Sequence, residues 1–209
     1  MKCKLCGSTA ERRQDERRFF QCQICGLIFK DEKYILTAEA EKKRYQEHNN
    51  SIKNEGYVNM FRQFLDSAVL PFADPDGDML DFGAGPGPVL AELVGREGFS
   101  TTIYDPHFFP NLDYKEKKYD LITSTEVYEH FLNPHREIEH LCSILKDGGL
   151  LAVMTNFYTE ADSFADWWYI RDDTHISLYS LKTFQWIADN FPLEIIYTNN
   201  KNYITFRKI

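Results

Sequence analysis

The chain has 209 residues, 43% of them apolar and 27% charged, with a formal net charge of −8. That length buries a full core as one principal domain with room for a small appendage, and the acidic balance excludes a protein whose whole surface grips phosphate backbones. No stretch approaches the roughly 18 consecutive apolar residues of a membrane span, and Met1-Lys2-Cys3 does not open a signal-like apolar region, so a cytoplasmic protein is expected.

The first 30 residues read as one unit. Four of the five cysteines fall within the first 25 residues, as two C-x-x-C-G knuckles, Cys3-Lys4-Leu5-Cys6-Gly7 and Cys22-Gln23-Ile24-Cys25-Gly26, separated by 15 residues. A disulfide framework does not suit a chain this long, and a redox C-x-x-C would stand beside a βαβ unit, whereas both pairs lie outside one. Glycine after each pair allows the tight turn that points backbone N–H groups at sulfur. Four thiolates then make a closed structural zinc site, with Cys3, Cys6, Cys22 and Cys25 as ligands and no open position for catalysis. Cys142, inside a helical apolar pattern, reads as a core residue.

Residues 31–72 follow as a helical region. Its first part is rich in Ala, Glu, Lys and Tyr and reads as helix to about Gln46, with Asn49-Asn50 as a break. Next, Val58, Phe61, Phe64, Leu65 and Val69 recur at helical spacing, which predicts an amphipathic helix that "ADPDGD" ends.

From Met79 to the C-terminus, within a domain placed at residues 73–209, short apolar runs alternate with helical patterns: "MLDF", "PVLAELVGREG", "TTIYD", "YDLITS", "PHREIEHLCSILKDGG", "LLAVMT". This order predicts a doubly wound α/β fold on a mostly parallel sheet. The tail differs, because "LEIIYT" and "YITFRK" flank Asn199-Asn200-Lys201-Asn202 as a hairpin would, giving an antiparallel last strand. Pro106 to Lys118 is too short for helix, strand and helix, so a third parallel strand is vestigial or missing.

Between the first strand and its helix stands Gly83-Ala84-Gly85-Pro86-Gly87. Glycine permits the turn and lets a ligand lie against bare backbone, and the following helix start offers free N–H groups. A nucleotide-like ligand at the carboxyl end of the first strand is the expectation. A dinucleotide fingerprint needs glycine three residues after Gly85, where Pro88 stands. The G-x-G-x-G spacing, preceded by Asp81, instead resembles motif I of the class I S-adenosylmethionine-dependent methyltransferases. Asp105, closing the second strand, is placed to accept hydrogen bonds from ribose hydroxyls.

The resemblance extends along nearly the whole chain. "TSTEVYEHFLNPHREIEHLCSILKDGGLLAVMT" looks like that superfamily's passage from the fourth to the fifth strand. Together "YQEHNN", "GYVNMF", "DFGAGPGPVLAEL", "YDP", "TEVYEHF" and "WWYIRDDTHISLYSLKTF" resemble a bacterial group of small methyltransferases with an N-terminal cysteine-rich zinc segment. One departure is Ala84, where a cysteine is common in that group. The resemblance implies a Rossmann-like methyltransferase domain behind a small zinc ribbon. Its cofactor site would take in Asp81, Gly83, Gly85, Gly87, Asp105, Thr125 and Glu126; Tyr45, His48 and Asn49 read either as a lid folding over it or as a solvated helix end.

Methyl transfer from a sulfonium is an in-line displacement, so the protein supplies alignment and, for some nucleophiles, a base. Glu129 and His130, after the fourth strand, are candidates for that base; a loop-fixing or helix-capping role competes. His175, after Asp172-Asp173-Thr174, is a second polar candidate for the acceptor pocket. Trp167, Trp168 and Tyr169 cannot all point into one core, so at least one should line a pocket or interface. His107, His135 and His140 read as surface or helix-face residues. The leading expectation is an enzyme methylating oxygen or carbon of a small-molecule acceptor, with sugar and quinol-like compounds as sharper variants. A second reading makes the ribbon an RNA-docking module, because residues 1–30 hold seven Lys or Arg against three acids. Acidity overall, and Thr123-Ser124-Thr125-Glu126 in place of an Asn/Asp-Pro-Pro-aromatic motif, argue against nucleic acid. A third is a non-catalytic cofactor-binding protein.

Overall fold

The computed structural model describes residues 1–37, 39, 40, 44, 51–160 and 163–209. In chain order its strands are β1 (Ala10–Arg12), β2 (Phe19–Cys22), β3 (Ile28–Lys30), β4 (Asp78–Phe82), β5 (Ser100–Tyr104), β6 (Tyr119–Thr125), β7 (Leu145–Met154), β8 (Ser177–Leu178), β9 (Leu193–Thr198) and β10 (Tyr203–Lys208). Its α-helices are α1 (Glu55–Phe64), α2 (Val89–Arg96), α3 (Pro134–Ile144) and α4 (Leu181–Asn190).

Six strands make the main sheet in the order β5-β4-β6-β7-β10-β9. β5, β4, β6 and β7 run parallel, while β10 enters antiparallel between β7 and β9. The reversed strand arises at the expected hairpin. There the Asn199 side chain accepts the backbone N–H groups of Lys201, Asn202 and Tyr203 at 2.9–3.0 Å, and Asn200 takes φ +58°. Such a left-handed turn residue is one that Asn tolerates. Among the described residues no third parallel strand lies beyond β5; Leu112–Glu116 there forms one 3-10 turn instead.

Period-two alternation divides the core between the two faces of the sheet. Leu80, Ile122, Leu151 and Val153 pack with α3 and α4 through Ile138, Leu141, Phe184 and Ile187. Met79, Leu121, Leu150, Ala152 and Met154 pack on the other face with Phe61, Phe64, Val89 and Leu93 of α1 and α2. Asn54 caps α1 by accepting from Tyr57 N–H at 3.3 Å. One π turn, Leu65–Val69, then rotates the chain so that Leu65, Ala68 and Val69 are all buried, and Thr205 donates to the Ala68 carbonyl at 2.5 Å. The expected helix from residue 31 begins as a single 3-10 turn, Glu32–Tyr34, capped by Asp31. Most of that predicted helix lies outside the described residues.

A second sheet, β1-β2-β3-β8, joins the N-terminal ribbon to a segment 150 residues later, because β8 pairs antiparallel with β3. Phe19 and Ile28 of the ribbon share a core with Tyr158, Phe164, Tyr169, Ile170 and Leu178. Lys30 is buried, and its ammonium donates to the Asp173 carbonyl at 2.9 Å.

Candidate functional site

The strand order reverses between β4 and β6, and at the carboxyl ends of these strands opens a cavity of about 680 Å³. One wall is backbone. Gly83 (φ +90°) and Gly85 (φ +63°) carry the chain out of β4, with Gly83 and Ala84 N–H both bonded to the Tyr104 carbonyl at 2.8 and 3.0 Å. A Cβ on Gly83 would stand 2.2 Å from Val127 Cγ2, so only glycine fits. α2 begins at Val89 with no cap from the side chain of Pro88, and Val89 N–H bonds the Gly87 carbonyl at 2.8 Å.

Asp105 organises this wall. One carboxylate oxygen accepts Gly85 N–H at 3.0 Å, and the other accepts His107 and Phe108 N–H at 2.8 and 3.0 Å. Asp81, beneath the turn, accepts from the Thr123 hydroxyl at 3.2 Å, and burial pushes its carboxyl up to about 7. The same burial, with Asp81 and Glu126 nearby, raises the Tyr57 phenol.

The opposite wall is made of side chains. Glu126 follows β6 at φ +54°, a conformation costing a non-glycine residue roughly 1–2 kcal/mol. Its carboxyl opens on the cavity but is ringed by protein, so that desolvation, and then the charge and hydrogen bond of Glu129, raise it well above the ordinary carboxylate range. Glu129 is wholly buried; its two oxygens accept from Thr155 Oγ1 at 2.7 Å and Tyr169 Oη at 2.5 Å. His130 Nδ1 lies 3.0 Å from the Thr174 carbonyl, and His175 Nδ1 lies 2.7 Å from the Tyr169 carbonyl. Carbonyls only accept, so each Nδ1 carries hydrogen and Nε2 is left as the basic nitrogen. Burial lowers the His175 pKa, which keeps its ring neutral. The two rings stand 5.1 Å apart.

The geometry thus brings Asp81, Gly83, Gly85, Gly87, Asp105, Thr125, Glu126, Glu129, His130 and His175 onto one cavity. Tyr45 and His48 lie outside the described residues. Sequence reasoning missed Tyr57 and Thr155, singled out Tyr169 only as one of three consecutive aromatics, and placed His107 on the surface or a helix face although it lines the cavity. It also missed a structural use of His135, whose Nδ1 bonds the Leu5 carbonyl at 2.9 Å and ties the first knuckle to α3. Of the aromatic triplet, Trp168 is 61% exposed at the cavity wall while Tyr169 turns inward to Glu129.

The cysteine knuckles repeat one geometry. Gly7 N–H bonds Cys3 O and Gly26 N–H bonds Cys22 O, with the two glycines at φ +72° and +78°. The four sulfurs lie within 4.8 Å of one another, with Cys3–Cys25 at 3.5 Å and Cys6–Cys22 at 3.4 Å. A tetrahedral ion with Zn–S bonds of about 2.3 Å would set its sulfurs about 3.8 Å apart, so the donor set fits zinc. The hydrogen bond between the two sulfurs brings the Cys3 thiol down to about 5 and, with burial, raises the Cys25 thiol. The ribbon's cations are engaged locally: Arg12 with Asp31, Arg13 with Asp15 and over the Phe164 ring, Arg18 with Glu16, and Lys4 with Glu32. Phe19 and Phe20 are buried, so neither presents a stacking face.

Solved structures with this fold include an O-methyltransferase family protein from Burkholderia thailandensis, at 17% identity and a TM-score of 0.56 over 80% of this chain. The chain spans only 62% of that protein's length. Another is the magnesium protoporphyrin IX methyltransferase of Synechocystis PCC 6803 with bound S-adenosylmethionine, at 14% identity and a TM-score of 0.53, covering 85% of this chain and 94% of that one. No curated protein sequence matches the chain. No helix among the described residues is long and apolar enough to cross a membrane. The family model described as a methyltransferase domain matches residues 57–198, from α1 to the end of β9 and across both walls of the cavity, and the chain accordingly belongs to the class I S-adenosylmethionine-dependent methyltransferases.

Proposed function

We propose that the glycine wall holds S-adenosylmethionine and that the histidine wall holds a neutral, hydroxylated small molecule, methylated on oxygen or on an activated carbon. The observation that carries this reading is the charge of the cavity. Asp81, Asp105, Glu126, Glu129, Glu137 and Asp172 line it, and among the described residues no Lys or Arg does. A phosphorylated or carboxylated acceptor would find no Lys or Arg among these lining residues to pair with, whereas a sulfonium cofactor and a sugar- or quinol-like acceptor need none.

The cofactor supplies an electrophilic methyl group on a positively charged sulfur. Asp105 receives the ribose hydroxyls through lone pairs its backbone contacts leave open, and Asp81 faces the cationic end of the cofactor. Glu126 and Thr125, at the end of β6, border the methyl. His175 and His130 offer Nε2 to the acceptor's proton, and the Tyr169–Glu129–Thr155 network holds the acidic partner of that pair rigid. The four cysteines hold a structural zinc ion that braces the ribbon, and through β3 the ribbon supports the segment bearing Asp172, Thr174 and His175. A thiolate site of this kind suits a reducing compartment, which favours the cytoplasm.

The test is calorimetric. S-adenosylmethionine should bind and NAD should not; Asp105→Ala should weaken the methyl donor by about 10–100-fold, roughly 1.4–2.8 kcal/mol, and His130→Ala should leave it within about threefold. Binding of NAD in place of the methyl donor would overturn the reading.

A further inference from the structure

We propose that Glu129, His130 and His175 form a binding site for one divalent cation of the Mn²⁺ type, placed to hold the acceptor's oxygens beside the methyl donor. The inference rests on the reading that the histidine wall receives the acceptor, and it replaces deprotonation by histidine with polarisation by a bound ion.

Three observations carry it. One ligand atom from each of the three residues lies within 4.8 Å of the others. Octahedral bonds of about 2.1 Å set neighbouring donors about 3.0 Å and opposite donors about 4.2 Å apart, so donors gathered this closely need only side-chain adjustment to close on an ion. The partners behind each donor are those of a metal ligand. Both Nδ1 atoms are tied to backbone carbonyls, of Thr174 and Tyr169, which directs Nε2 to the ion. Each Glu129 oxygen accepts one hydroxyl hydrogen and keeps a lone pair. Finally, further carboxylates gather beside the site. Glu126 and Asp172 border the same cavity, Arg44 reaches Asp172 at 3.6 Å, and among the described lining residues no cation faces Glu126 or Glu129.

Two imidazoles and one carboxylate leave coordination positions open. A vicinal diol, an enediol or a catechol-like acceptor would fill two of them and displace water. The carboxylate suits Mn²⁺, whereas the four thiolates of the ribbon select zinc, so once the ribbon is loaded with zinc Mn²⁺ reports the second site.

The experiment uses the full chain already loaded with zinc and titrates it with Mn²⁺, following loss of the free-ion electron paramagnetic resonance signal. One ion should bind per chain, and Glu129→Gln, His130→Ala and His175→Ala should each weaken it by about 10-fold or more. S-adenosylmethionine calorimetry on the same proteins reports whether they fold. If Glu129→Gln fails to fold, the half-buried His130 carries the test. Absence of Mn²⁺ binding by the parent protein, or equal binding by the folded variants, would overturn the proposal. If the parent binds Mn²⁺ but not S-adenosylmethionine, the reading of the glycine wall fails and the cation site stands.

Discussion

The two walls of the cavity are made of opposite materials. The glycine wall is mostly backbone: a five-residue turn, a helix start, and one carboxylate after the next strand that bonds Gly85 N–H of the turn and the N–H groups of His107 and Phe108. The histidine wall is side chain, gathered from residues 126–130, 155 and 168–175 and closed from behind by a ribbon that begins at residue 1. A wall of backbone suits a ligand that does not vary, because it presents nothing for a substitution to change. A wall of side chains on distant segments can be re-cut for different acceptors, which is why the fold and the cofactor follow from the family while the acceptor does not.

The largest expected effect separates the walls outright. With zinc on the four thiolates as proposed, removing it by chelation, or by Cys22→Ser, should cost about 5 kcal/mol or more, because the ion that joins them is lost. The histidine wall should loosen, with a shift in Trp167 and Trp168 fluorescence. Affinity for S-adenosylmethionine should stay within about threefold, and an equal loss on both walls would break the comparison.

Next comes Asp81. Its carboxyl titrates near 7 in the fold because burial penalises the charge, and near 4 when unfolded. Unfolding therefore releases a proton across that window, so stability should fall as pH rises from about 4 to 7, by up to about 4 kcal/mol, and then level off. Urea denaturation at several pH values checks this, and Asp81→Asn should flatten the curve. If the cofactor's ammonium faces Asp81, binding near pH 6 should also release a proton, visible as buffer-dependent heat.

Gly83→Ala should cost about 2–4 kcal/mol and lower cofactor affinity about 100-fold, from the left-handed φ and the collision with Val127 together. Adding Val127→Ala should recover part of this, since it removes the collision and leaves the φ strain. The smallest effect should come from Tyr169→Phe, which deletes one charge-assisted hydrogen bond to Glu129, worth about 2 kcal/mol by thermal denaturation. Cofactor affinity should not move, since the change is confined to the histidine wall.

Much of the scaffold was legible before folding. Alternation of Met79/Leu80, Leu121/Ile122 and Leu150/Leu151 assigns each residue to one sheet face, because strand periodicity is a local property. The glycine turn and the cysteine knuckles are equally local, each using a residue that tolerates positive φ at a fixed offset from its ligand groups. The pairing of β8 with β3, the burial of the Lys30 ammonium against Asp173, and the convergence of Tyr169 and Thr155 on Glu129 left no such mark. Tyr169 stands between an exposed Trp168 and a buried Ile170 in a short 3-10 turn, where no period marks which side chain turns inward. Thr155 reads as the end of an ordinary apolar strand. Short-range rules specify where the backbone turns and which face is apolar. Which polar side chains meet across 26 to 150 residues was decided only when the two sheets closed on a shared core, because burial there requires every hydroxyl and carboxylate to find a partner.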